Sequence, residues 1–281
     1  MLFESTYKPW MKRVGQVGLI AKALVYLIFG LLILIATYSP AEEPVGLFEV
    51  VKYIIALGWY GRVGVLLLTI GILCYSAWKF LQMVGNAEGY EQNLNGYFIR
   101  FTWLGPFVFY LLLGGHAFYQ LYRWYFGVFL YPDPQPGFQK LLAQPYGDGL
   151  VILISLGLMA NAVTLAYLGL TGKYRLMISG KDFHSNHPRL AEIVGQFGYF
   201  GYGATLFLLS GFFAASIYLH DESLARGQES IFYFFMAAPY GKALLTLIAL
   251  GSMIYGLYFF LAAFYRWRDD RDKLNSTKTG K

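Results

Sequence analysis

The chain has 281 residues, of which 57% are hydrophobic and 19% aromatic, while only 14% are charged. Soluble domains are about one-quarter charged, so an ordinary soluble fold is excluded: it could not hide this much apolar surface. The net charge of +6 does not indicate a nucleic-acid partner, because no basic domain of any size lies outside the apolar stretches. The single cysteine, Cys74, rules out an intrachain disulfide.

A hydrocarbon core of about 30 Å needs about 20 apolar residues as helix. Six stretches meet that length: Val17–Tyr38, Val63–Val84, Leu104–Gly127, Gly149–Leu170, Phe197–Leu219 and Ala243–Tyr265. The first is preceded by Lys12 and Arg13 and followed by Ser39-Pro40-Ala41, which loosely resembles a signal peptide and its cleavage site. It is too long for one, and its pattern recurs later, so it reads as a membrane helix. The charges inside the stretches are Lys22, Lys79 and Arg123. Each sits near a helix end, where a long side chain is expected to snorkel to the headgroups. In the third stretch Pro106 lies near the start, where a helix tolerates it.

Six spans return the carboxyl terminus to the side of the amino terminus. Allotting lysine and arginine on that basis puts 16 of the 22 on the terminal face, whereas the acidic residues divide evenly. The positive-inside rule then predicts that both termini are cytoplasmic. Residues 266–281 form a basic cytoplasmic tail, either a stop-transfer flank or a contact to anionic lipid.

Internal repeats are visible at fixed offsets. A shift of 180 residues places Gly15-Gln16-Val17-Gly18 on Gly195-Gln196-Phe197-Gly198, Tyr60-Gly61-Arg62 on Tyr240-Gly241-Lys242, Gly71 on Gly251 and Tyr75 on Tyr255. A shift of 86 sets Tyr146-Gly147-Asp148 on Tyr60-Gly61-Arg62, and one of 84 sets Tyr110 on Tyr26 and Gly114 on Gly30. The reading is a single all-α integral membrane domain over residues 1–281, with six transmembrane helices as three tandem hairpin repeats at 13–84, 97–171 and 193–265. Such parallel repeats suit a pseudo-threefold bundle, with a linear row of hairpins as the alternative. The outer segments Val45–Leu57, Gly137–Ala143 and Gln228–Ala238 suit short interfacial helices. Gly71, Gly157 and Gly251 are expected to let neighbouring helices approach closely.

The pattern Gly18-x-x-Ala21-Lys22-Ala23-x-Val25-Tyr26-x-x-x-Gly30, then Tyr60-Gly61-Arg62 and Gly71-x-x-x-Tyr75-x-x-Trp78, resembles the bacterial membrane family called domain of unknown function 1206. The resemblance runs from about Arg13 to Arg266. It implies three copies of a two-helix module in a bacterial inner membrane, and it supplies no catalytic residue, the family's function being unassigned. The middle repeat departs most, with Gly105-Pro106-Phe107 in place of Ala21-Lys22-Ala23 and Asn161 in place of Tyr75 and Tyr255.

Polar groups deep in a bilayer are costly and therefore functional suspects, and His116 and Asn161 are the pair private to the middle repeat. They form a candidate intramembrane polar site with Tyr110, Tyr119, Tyr75 and Tyr255. The bland reading is interhelical glue; the sharper one makes His116 a haem ligand or proton relay. A bis-histidine haem needs a second buried histidine, and His184, His187 and His220 all lie in loops or at a helix end. No paired carboxylates, nucleophile elbow or phosphate-binding glycine loop appears, so neither an enzyme nor a bound metal or other cofactor is expected. Lys22, Arg62 and Lys242 are candidate lipid-headgroup contacts, since Arg62 and Lys242 oppose the helix dipole at an amino-terminal end. Expected partners are the bilayer, anionic headgroups and another membrane protein. Two roles remain open: a non-enzymatic scaffold, accessory subunit or lipid-binding protein, and a translocator of small molecules or ions.

Overall fold

Every described element of the computed structural model is helical; the residues described are 9–39, 46–85, 92–127, 141–142, 144–174 and 189–279. In chain order the helices are α1 (Pro9–Tyr38), α2 (Val50–Ala56), α3 (Trp59–Val84), α4 (Leu94–Phe101), α5 (Leu104–Tyr125), α6 (Gly147–Thr171), α7 (Arg189–Tyr218), α8 (Gln228–Met236) and α9 (Gly241–Thr279), with a 3₁₀ turn at Glu222–Ala225. A long helix suits lipid because it satisfies its backbone hydrogen bonds internally.

Local chemistry sets the ends. Ser39 precedes Pro40, which disfavours helical dihedrals at Ser39, and α1 stops at Tyr38. Gly172 ends α6 with φ +70°, the left-handed geometry common just past a helix. His220 takes the same region after α7, at φ +50°. Its N–H bonds the Ile217 carbonyl and the Asp221 N–H bonds the Ser216 carbonyl, the Schellman pattern with histidine where glycine is usual.

Among the described residues, five helical stretches are long and apolar enough to cross a membrane: Arg13–Tyr38, Trp59–Val84, Gly147–Thr171, Glu192–Tyr218 and Gly241–Ala263. The third expected span exists as a 22-residue helix, α5, but His116, Gln120, Arg123 and its tyrosines lower its apolarity, and it stands outside that set.

The chain divides into two compact units. One holds residues 1–24, 51–128 and 262–281. Within it α1 crosses α3 at Gly18, where a Cβ would lie 2.6 Å from the Tyr75 Cα. Ala21 packs where Gly71 has no side chain. Helix α3 also packs on α5, with Leu73 over Gly114 at 2.7 Å from an added Cβ, and Val51, Val65 and Ala117 make a small core with Ile54, Ile55 and Leu121.

The other unit holds residues 25–50 and 129–261. Here α7 crosses α9 at Gly198, where a Cβ would lie 2.8 Å from the Tyr255 Cα, and Gly251 lies against Gly201. The second half of α1 meets α9 at Gly30, an added Cβ falling 2.5 Å from Met253 Cγ and 2.6 Å from the Ala249 carbonyl oxygen. Ser155 of α6 and Ser210 of α7 each donate to the other's carbonyl at 2.9 Å.

Gly71 and Gly251 thus sit at close approaches, whereas Gly157 faces open space, with no described atom within 4 Å of an added Cβ. The physical reason is rotational: Gly157 lies on an exposed face of α6, most of whose residues are not buried.

Of the expected interfacial segments, α2 and α8 are helices of 7 and 9 residues. Most of Gly137–Ala143 lies outside the described residues, Leu141 and Leu142 being helical. A Cβ on Gly61, Gly147 or Gly241 would strike the Ile54, Leu141 or Phe235 carbonyl respectively. Each Tyr-Gly turn therefore tucks its glycine under the last carbonyls of the segment before it. Helix α9 continues through the basic residues from Arg266 to Thr279.

Candidate functional site

In the first unit the crossing of α1 and α3 brings three polar chains onto one ring. Lys22 Nζ lies 5.1 Å from the Tyr75 ring centroid and donates to Tyr75 Oη at 3.4 Å. It also stands 5.4 Å from the Tyr110 ring, which meets Tyr75 edge-on at 4.6 Å. Lys79, one turn after Tyr75 on α3, puts Nζ 5.4 Å from that same Tyr75 ring and 3.9 Å from the Trp103 ring. It also donates to Gln82 Oε1 at 2.8 Å.

Neither lysine reaches outward as a snorkelling residue would. Lys22 is 6% exposed and Lys79 is 7% exposed. The reason is the glycine at position 18: it draws the two backbones so close that Tyr75 lies over α1, and the side chain of Lys22, one turn later, is caught between Tyr75 and Tyr110. A buried ammonium over an aromatic face gains on the order of 2 kcal/mol, which offsets only part of the cost of leaving water. Beside this group the Trp103 indole Nε1 is buried and has no hydrogen-bond partner among the described residues.

The second unit builds a neutral cluster around Tyr255. Tyr202 stacks on it at 4.6 Å, Phe259 meets it edge-on at 4.7 Å, and Tyr26 meets it edge-on at 5.1 Å. Tyr26 Oη donates to Tyr202 Oη at 2.8 Å. Below it, Tyr258 Oη donates to the Tyr174 carbonyl at 2.8 Å, and Tyr174 Oη to the Glu192 carbonyl at 2.7 Å.

The residues nominated from sequence therefore separate. Lys22, Tyr75 and Tyr110 come together; Tyr255 belongs to the aromatic cluster of the other unit. His116 is half-buried, with Nε2 lying 3.3 Å from Gln120 Nε2 on its own helix. Asn161 is exposed on α6, and Tyr119 is exposed with the Arg123 guanidinium 5.7 Å from its ring. Arg62 stacks its guanidinium 3.4 Å from the Trp124 ring centroid, joining the start of α3 to the end of α5. Lys242 is exposed. His184 and His187 lie outside the described residues. Among the described residues no three His, Cys, Asp or Glu side chains group closely enough to hold a metal ion.

Sequence reasoning did not nominate Lys79 or Trp103. The signal was present in the 180-residue register, where Lys22 falls on Tyr202 and Lys79 on Phe259: two cations stand where the later hairpin has rings.

No solved structure matches the chain. A protein of Bacillus subtilis (strain 168), itself described as uncharacterized protein YxxB, is 22% identical over 267 residues, covering 92% of each chain. Residues 197–266 match the family described as Domain of Unknown Function (DUF1206). That match covers the last hairpin, from Phe197 to Arg266.

Proposed function

We propose that this chain is a multi-pass protein of the bacterial inner membrane whose role is non-enzymatic: a lipid-binding scaffold or accessory subunit built from three tandem helix hairpins, α5 serving as the sixth span. Both termini then face the cytoplasm.

One observation supports the hairpin reading above others, the recurrence of the same contact at the seam between hairpins. Leu73 packs over Gly114, and Met253 packs over Gly30, and these pairs correspond under the 180- and 84-residue offsets. The third seam is the Ser155–Ser210 pair. Its two positions correspond to Ala249 and Gly30, which also touch. A repeated seam suits a scaffold, because each hairpin alone leaves an apolar face that its neighbour must cover.

The translocator reading has less support. Asn161 is exposed and the Tyr75 and Tyr255 rings are packed against their own neighbours, so the side chains that would line a path around His116 and Asn161 face different surroundings.

Cysteine pairs test the architecture. With Cys74 replaced by serine, the pairs Leu73→Cys/Gly114→Cys, Gly30→Cys/Met253→Cys and Ser155→Cys/Ser210→Cys are each expected to cross-link in native membranes. Failure of one seam while the other two close would break the repeat. For the role, His116→Leu is expected to lower stability and leave the visible spectrum of the purified protein flat; a Soret band lost on that substitution would overturn the non-enzymatic reading.

A further inference from the structure

The two helix crossings solve one packing problem in two ways. At the α7–α9 crossing Tyr255 is flanked by Tyr202 and Phe259, at ring distances of 4.6 and 4.7 Å. At the α1–α3 crossing Tyr75 is flanked by Lys22 and Lys79, their ammonium groups 5.1 and 5.4 Å from its ring. Both crossings close on glycine, Gly18 in one and Gly198 in the other. Neutral rings therefore suffice for the packing, and the same chain carries that solution. Two like charges in place of two rings cost desolvation and mutual repulsion, so the lysines answer some need other than packing.

The surroundings indicate what need. Lys79 lies five residues before the end of α3, about 8 Å along the helix axis, which is headgroup-adjacent depth. Trp103, whose ring lies under Lys79, places beside the ammonium a buried N–H donor without a hydrogen-bond partner among the described residues. It is also the cap residue of α5, whose amino-terminal dipole adds positive potential there. Tyr75 and Tyr110 supply hydroxyls on rings that touch Lys22. Two cations, an N–H and phenolic hydroxyls are donors in quantity, and the group that accepts from several donors at once while carrying negative charge is a phosphate.

We propose that Lys22, Lys79 and Trp103, with the Tyr75 and Tyr110 hydroxyls, form a binding site for a phosphate-bearing anion at the membrane boundary, the phosphate of a lipid headgroup or a soluble phosphate. This deepens the lipid-binding reading and rests on the equivalence of the first and last hairpins.

The test grafts the neutral solution onto the first crossing. The full-length double variant Lys22→Tyr/Lys79→Phe, delipidated in mild detergent, is compared with the wild type by native mass spectrometry and by tryptophan fluorescence. Both are titrated with phosphatidylglycerol, with diacylglycerol of the same chains, and with inorganic phosphate. The wild type is expected to retain phosphatidylglycerol at least tenfold better than diacylglycerol, with the fluorescence of Trp103 shifting on binding. The double variant is expected to lose that preference and to keep or raise its melting temperature. The variant Lys22→Arg/Lys79→Arg controls for folding and is expected to keep at least part of the binding. Saturation by inorganic phosphate at similar concentration assigns the site to a free anion; saturation by phosphatidylglycerol alone assigns it to the headgroup. Binding of neither probe to the wild type, or equal binding by wild type and the folded tyrosine–phenylalanine variant, overturns the site. The seam cross-links report on the repeat independently, so the two failures are separable.

Discussion

At the scale of single residues, tyrosine carries most of the specificity in the interior. Its ring packs like any large apolar group, and its hydroxyl must find a partner where water is absent. Tyr26 and Tyr255 divide these duties. Tyr26→Phe removes the 2.8 Å hydroxyl pair with Tyr202 and leaves the ring contacts, so it is expected to cost about 1 kcal/mol or less. Tyr255→Ala removes a ring that meets Tyr26, Tyr199, Tyr202 and Phe259 and is expected to cost about 3–5 kcal/mol. Thermal unfolding of the purified variants in one detergent separates the two, and equal losses would show that the hydroxyl matters as much as the ring. Lys22, Tyr75 and Tyr110 were legible as candidates because depth along a span can be counted from sequence. The fate of Asn161 was not. Counting gives depth but not the angle around the helix axis, and α6 is apolar on all sides, so no stripe in its sequence marks which face meets protein.

At the scale of elements, helix approach depends on which glycines face a neighbour. Gly18→Leu and Gly198→Leu each drive a side chain into a tyrosine backbone 2.6 and 2.8 Å away, and overpacking of that kind is expected to cost about 3 kcal/mol or more. Gly157→Ala meets nothing within 4 Å and is expected to be neutral or to stabilise by up to about 1 kcal/mol through helix propensity. The melting temperatures rank the three, and a large loss at Gly157 would reveal a partner on that face. The turn after α7 offers a pH handle. The Asp221 carboxylate accepts from the Ser223 N–H at 2.9 Å. Hydrogen bonds from the Ser223 hydroxyl and N–H, and less so the Arg226 charge, hold its carboxyl below the ordinary range. A lowered folded-state value means the stabilisation is complete above the unfolded carboxyl value of about 3.9 and fades as pH falls through the folded one. Wild type and Asp221→Asn are therefore expected to differ by a constant amount from pH 5 upward and to converge in stronger acid. A gap that widens on acidification would reverse the sign.

At the scale of the whole molecule, the number of crossings decides which faces the two ends share. Among the described residues five helices qualify by length and apolarity alone, and five crossings would put the termini on opposite sides of the membrane. Six put them on the same side, so the topology turns on α5. Its 22 residues extend about 33 Å, enough to span the hydrocarbon core. The residues that lower its apolarity are paired or aromatic: His116 beside Gln120, and Arg123 near Tyr119. Arg123 lies in the last turn, where a long side chain can reach the headgroups. Allotted on six crossings, 16 of the 22 lysine and arginine residues fall on one face, the bias that the positive-inside rule expects of a cytoplasmic side. A cysteine added at either end of the chain, in a background with Cys74 replaced, is accordingly expected to resist a membrane-impermeant maleimide in intact spheroplasts and to react once the membrane is opened. A cysteine in the segment between α5 and α6 is expected to react without opening. Reaction of one terminus alone in sealed cells would leave α5 outside the bilayer and reduce the molecule to five spans.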